Sequence, residues 1–286
     1  MKICRLLLLC YVVNLGGTVR GAGANPFFAM NTIAKGGPDV VVPLLKELGY
    51  AGLGGAAGDR AMADALARAG LRFFNGYLTL PLQADITGLD EKLAAHLNAM
   101  EGHNTALWLA VSKVQRDVPA QSSLLPLDDD AVAKRLKEIA DYAAFRGLKV
   151  ALYPHAGHYL ERFEDVLRMA NRLNHPAVGV TFNLCHWLKV EGAERDPAPL
   201  LKAAGSRLMF VTINGADTGD TKAMTWARLI QPLGEGSYDV AAFLRKVRDA
   251  GYTGPIGFQG YGIKAPPREV LAKTMDAWKR LQGGGQ

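Results

Sequence analysis

Three histidines stand close together in the second half of the chain, His155 and His158 in one short stretch and His186 further on. Imidazole exchanges a proton near neutral pH, so His155 or His186 is a candidate general base. Three imidazoles can also hold zinc, which makes His155, His158 and His186 the candidate metal set on residue type alone. Glu235 is the carboxylate in a loop expected to reach the same place, as an acid or base, and Lys113 and Lys264 bring positive charge to strand ends. Groups suited to neutral hydroxyls surround them. The amides of Asn183, Asn214 and Gln259 each donate and accept, Tyr153 and Thr212 add hydroxyls, and Tyr153, Tyr159, Trp187 and Tyr261 add rings that can stack on a ligand. His158 and Lys264 complete the binding set. Cys185 adjoins His186 without a base partner in sequence and is not expected to act as a nucleophile.

These residues form a site only if the backbone gathers them. Side chains alternate across a strand, and in a closed barrel every second residue faces the axis. In the run 148–154, Leu148, Val150 and Leu152 suit the helix-facing side, which turns Ala151, Tyr153 and His155 inward. The same parity turns Thr181 and Asn183 inward in 178–184, Thr212 and Asn214 at 207–214, and Gln259 and Tyr261 at 255–261. Four consecutive strands therefore end in inward polar groups. Leaving them without partners costs about 1–3 kcal/mol each, so a polar ligand, a metal or ordered water is expected between them.

The wider pattern supplies that barrel. Short apolar runs at 27–32, 49–53, 71–77, 105–112, 148–154, 178–184, 207–213 and 255–260 alternate with helical patterns at 38–48, 58–69, 88–101, 128–145, 161–174, 197–204, 238–250 and 267–282. Asp128 to Asp130 open the clearest helix, Val132, Leu136, Ile139 and Ala143 repeat at helical spacing, and Gly147 stops it. Eight strands, each followed by a helix, specify an α/β fold, a single (β/α)8 TIM barrel. Longer excursions at 78–87, 113–127 and 214–236 fall on the C-terminal side of strands 3, 4 and 7, the side where such barrels carry their sites.

Residues 1–24 read differently. Lys2 and Arg5 precede the apolar run from Leu6 to Val13, and Ala22-Gly23-Ala24 supplies small residues, the layout of a secretory signal peptide cleaved after Ala24. The run is shorter than the roughly 20 apolar residues that span a bilayer, so no stable membrane span is expected after cleavage. The expected product is an exported barrel of residues 25–286, periplasmic or secreted. Loss of Lys2, Arg5 and Arg20 with no acidic residue lowers the formal charge from +6 to +3. Without a block of basic residues, nucleic acid is not an expected partner. The leader also takes Cys4 and Cys10, leaving Cys185 and no possible internal disulfide.

The second half of the chain resembles the xylose-isomerase-like barrels, a family of sugar isomerases and epimerases that also includes the AP-endonuclease family 2 enzymes. Its members end strand 5 with glutamate, strand 6 with Asp-x-x-His, strand 7 with histidine and strand 8 with glutamate, together holding a divalent metal. Here the corresponding residues are Tyr153, Asn183-Leu184-Cys185-His186, Thr212 in Thr-Ile-Asn-Gly, and Gln259; Leu233-Gly234-Glu235-Gly236 is similar to the family's Leu-Gly-x-Gly turn. The resemblance implies a small-molecule carbohydrate ligand and isomerisation or epimerisation beside a carbonyl, or elimination from an oxidised sugar. Lys113 or Lys264 would then stand in for the metal. The missing carboxylates weaken any grip on a hard divalent cation, so no cofactor is expected in the family manner and the histidine set is the remaining metal option. The alternative is a carbohydrate-binding barrel without catalysis. DNA repair is not expected, because strand 2 runs into Gly52-Leu53-Gly54-Gly55 where that branch carries a metal-binding histidine.

Overall fold

The computed structural model describes residues 25–55, 58–82, 89–113 and 129–283 of the 286-residue chain. The expected signal peptide lies outside these residues, as does most of the excursion at 113–127. Eight parallel strands, β1 (Phe27–Met30), β2 (Gly52–Gly54), β3 (Arg72–Pro81), β4 (Ala106–Ser112), β5 (Lys149–Leu152), β6 (Val178–Asn183), β7 (Leu208–Ile213) and β8 (Ile256–Phe258), pair in chain order. β1 also pairs with β8, so the sheet closes and has no free edge. Around it run α1 (Pro38–Leu48), α2 (Arg60–Arg68), α3 (Glu91–Met100), α4 (Asp129–Phe145), α5 (Phe163–Leu173), α6 (Leu184–Val190), α7 (Ala198–Ala204), α8 (Trp226–Leu229), α9 (Val240–Asp249) and α10 (Pro267–Gly283). The chain is a single (β/α)8 barrel, as the alternation of patterns specified.

Strand parity divides the interior into two layers. Val150, Leu152, Val180, Phe182, Val211, Ile213, Ile256 and Phe258 pack outward against the helices. Phe28, Phe74, Trp108, Ala151, Tyr153 and Phe210 face the axis and pack on one another. Phe28 stacks on Phe74 with ring centroids 4.7 Å apart and meets Trp108 and Phe210 edge-on. Room for the Phe28 ring comes from Gly54 and Gly257, where an added Cβ would collide with that ring. This aromatic layer fills the barrel below its C-terminal rim, so any ligand is confined to the rim.

Three local features depart from the sequence reading. β3 continues to Pro81, through residues expected in an excursion, because Leu78 to Pro81 stay in register with Leu109 to Ser112 of β4 and Leu80 is buried against the outer core. Helix α6 begins directly after β6, in a stretch where the sequence patterns gave no helix; the Asn183 side chain caps it by accepting from the His186 N–H at 3.2 Å. The short helix α8 lies inside the excursion after β7. Among the described residues no helix is long and apolar enough to cross a membrane.

Candidate active site at the barrel rim

The strand ends surround a cavity of about 480 Å³ whose walls include Thr32, Tyr77, Tyr153, His155, His186, Trp226, Gln259 and Tyr261. That volume suits a ligand the size of a monosaccharide.

Its polar wall carries two hydrogen-bonded groups. Asn183 sits at the end of β6 with its carbonyl oxygen turned to the His186 N–H and to the Cys185 thiol, 3.0 Å away. The amide nitrogen is thereby left to donate to the Tyr153 hydroxyl. On the other side, the Gln259 Oε1 accepts from the Thr32 hydroxyl at 2.9 Å and the Tyr261 N–H at 3.1 Å. Burial raises the Tyr153 phenol well above its ordinary value, with smaller contributions from Cys185 and Tyr77, so it stays protonated.

The histidines are governed by a single residue. The Ala156 carbonyl lies 3.0 Å from His155 Nδ1 and can only accept, so neutral His155 carries its proton on Nδ1 and its lone pair on Nε2. The Ala156 N–H donates to His186 Nδ1 at 3.2 Å, so neutral His186 carries its proton on Nε2. The hydrogen-bond partners thus assign opposite tautomers to two rings whose centroids are 4.2 Å apart. Burial lowers the pKa of His155, partly offset by the Ala156 carbonyl; it lowers that of His186 much further, helped by His155 and His158. His158 falls to about 4, mainly from burial and then from His155. All three are neutral near pH 7.

His155, His158 and His186 do not form the three-imidazole zinc set that was one option from sequence. His155 and His158 stack at 3.9 Å with their planes 19° apart, which keeps their in-plane lone pairs from converging. Among the described residues no group of three or more His, Cys, Asp and Glu is arranged to hold a metal ion. The positions that the resemblance assigns to metal ligands do not fit one either, since Tyr153, Asn183, Thr212 and Gln259 are neutral and Asn183 is bonded to Tyr153.

The other nominated residues sort cleanly. Tyr153, His155, His186, Gln259 and Tyr261 line the cavity; Tyr261 follows β8 rather than continuing it and stands exposed at the mouth. Asn183 lies just behind them. Thr212 is buried with no partner for its hydroxyl, and Asn214 donates to the carbonyls of Gly215 at 2.8 Å and Leu229 at 2.6 Å, tying the loop after β7 to α8. Trp187 is buried against Phe182 beneath Arg195, away from the cavity. Tyr159 packs on the outer core and donates to Asp129 at 2.8 Å. Lys113, Glu235 and Lys264 are exposed and none lines the cavity. Thr32, Tyr77 and Trp226 were not foreseen. Trp226 meets His186 edge-on at 5.3 Å, and the signal for it was an aromatic residue inside the long excursion after strand 7.

Known proteins share this architecture. A 3-dehydroshikimate dehydratase of Pseudomonas putida is 28% identical over 200 residues, 68% of this chain and 29% of that protein. An L-ribulose 3-epimerase of a Methylomonas species is 25% identical over 154 residues, 51% of this chain and 46% of the epimerase. This chain thus spans less than half the length of either relative. A D-allulose 3-epimerase of a Methylomonas species, solved in complex with D-allulose, has the same fold: TM-score 0.66 at 17% identity, over 90% of this chain and 97% of that one. The model of the xylose isomerase-like TIM barrel matches residues 60–281, so the chain belongs to the xylose isomerase-like TIM barrel family.

Proposed function

We propose that the rim cavity binds a sugar-sized, hydroxyl-bearing carbonyl compound and removes the proton from the carbon beside its carbonyl, with His155 as base and His186 as hydrogen-bond donor. The carrying observation is Ala156, whose carbonyl and N–H leave a lone pair on His155 Nε2 and a proton on His186 Nε2. A base and a donor side by side are what proton transfer at a carbonyl compound requires. The relatives' names agree with this chemistry: epimerisation of a ketose at its carbon 3, and loss of water from 3-dehydroshikimate, each begin naturally with removal of a proton next to a carbonyl. A neutral wall of phenol, amides and imidazoles suits hydroxyl groups better than phosphate. The export read from residues 1–24 is part of the same proposal.

The test is a screen with D-allulose, L-ribulose and 3-dehydroshikimate, following thermal stabilisation and product formation together. Stabilisation with turnover of at least one compound is expected. Stabilisation without any product would make the barrel a binding protein, and neither response would remove the ligand class.

A further inference from the structure

The position of Tyr153 carries one step more, and the step rests on the ligand reading above. The chain has a phenol where its family places a strand 5 carboxylate, and the neighbouring family position, Asn183, turns to that phenol. A definite N–H donor fixes which end of the amide does so. The His186 N–H occupies the Asn183 oxygen, so its NH2 group faces Tyr153. A hydroxyl that receives this donor must give its own proton elsewhere. Among the described residues no acceptor takes it, while Tyr153 is buried and lines the cavity. A buried donor left unpaired costs about 1–3 kcal/mol, which a ligand oxygen or a water removes.

We propose that Tyr153 replaces the family's metal: its hydroxyl, held by Asn183, closes the centre of the rim to divalent cations and points its one free proton at the ligand's carbonyl oxygen. In the reaction the C–H bond beside the carbonyl breaks, its proton passes to His155, its electron pair becomes the new carbon–carbon double bond, and the carbonyl pair moves onto oxygen. That oxygen gains negative charge and receives the Tyr153 hydrogen bond. No electron leaves the ligand and no further reactant is needed. Because burial holds the phenol protonated, Tyr153 stabilises the oxyanion by donating a hydrogen bond and keeps its proton.

The decisive probe is manganese. In full-length protein labelled at tyrosine Cζ, the Tyr153 resonance is identified by its loss in Tyr153→Phe and followed during titration with MnCl2. The paramagnetic ion bound among Tyr153, Asn183, His186 and Gln259 would broaden that line beyond detection at one equivalent, and this result overturns the proposal. The expected result is a line of unchanged width at about tenfold excess. In EDTA-treated enzyme, Tyr153→Phe is expected to lower kcat about 100-fold or more with KM within about threefold, the signature of a group acting on the transition state. Wild-type kcat in that variant contradicts the donor role, and an unchanged unfolding midpoint keeps the comparison free of misfolding. If none of the three compounds reacts with the wild type, the catalytic reading fails, and the manganese titration still decides whether Tyr153 excludes the cation.

Discussion

At the scale of single residues, the site works by what is neutral. His155 is held below the ordinary imidazole value of 6.5 by burial, and a base must be unprotonated to act. The rate is therefore expected to be level above about pH 6.5 and to fall only as the pH drops through the lowered His155 value. A profile that rises between pH 7 and 8 would point to another base. His155→Asn, which keeps a donor near the Ala156 carbonyl and loses the basic nitrogen, is expected to cost 10²–10⁴-fold in kcat. Cys185 makes a complementary case. Its thiol is fully buried and pushed up to about 12, chiefly by burial, so it is expected to resist thiol reagents until the protein unfolds, as read by labelling before and after denaturant. The residue types of this site were legible from sequence because strand parity selects Tyr153, His155, Asn183 and Gln259. The tautomers were not, since they depend on the Ala156 peptide and not on any side chain.

At the scale of elements, parity carried past the ends of β5 and β8, where Tyr153, His155 and Gln259 line the cavity, and lost precision after β7. Tyr153, Asn214 and Gln259 each stand one residue beyond a strand, and Asn214 already turns to the backbone of α8. Tyr261, three residues beyond β8, lines the cavity at its exposed mouth. Helix α6 hid from the periodicity because it is a seven-residue continuation of an apolar strand, started by a side-chain cap. The loop after β7 is held by close backbone approach. Gly236 has φ +80°, and a Cβ there would strike the Ala216 carbonyl. Gly236→Ala is expected to destabilise the barrel by more than about 1 kcal/mol, measured by urea unfolding, while Gly262→Ala, also at positive φ but with open space around it, should cost less.

At the scale of the whole molecule, eight alternating patterns determined a closed barrel because each strand run was followed by one helix and no linker intervened. Asn25, the first described residue, donates to the Gly254 carbonyl at 2.7 Å and β1 starts at Phe27. Under the export proposal, mass spectrometry of protein from an exporting host is expected to show a chain starting at Asn25; a mature chain that keeps Met1 would oppose that proposal. Stability carries the mark of the histidine cluster. Burial lowers the folded-state pKa values of His155, His158 and His186, so between the ordinary value of 6.5 and those lowered values the unfolded chain binds more protons. Stability is thus complete above about pH 6.5 and declines as the pH falls below it.

One measurement reaches the proton transfer directly: wild-type protein, treated with EDTA, is incubated in D2O with D-allulose, L-ribulose or 3-dehydroshikimate, and the hydrogen beside the carbonyl is followed by NMR. The expected result is enzyme-dependent replacement of that hydrogen by deuterium, or its loss to product, in at least one compound, and suppression in His155→Asn. Bound ligand with no exchange, or exchange that His155→Asn leaves untouched, would contradict proton abstraction by His155 at this rim.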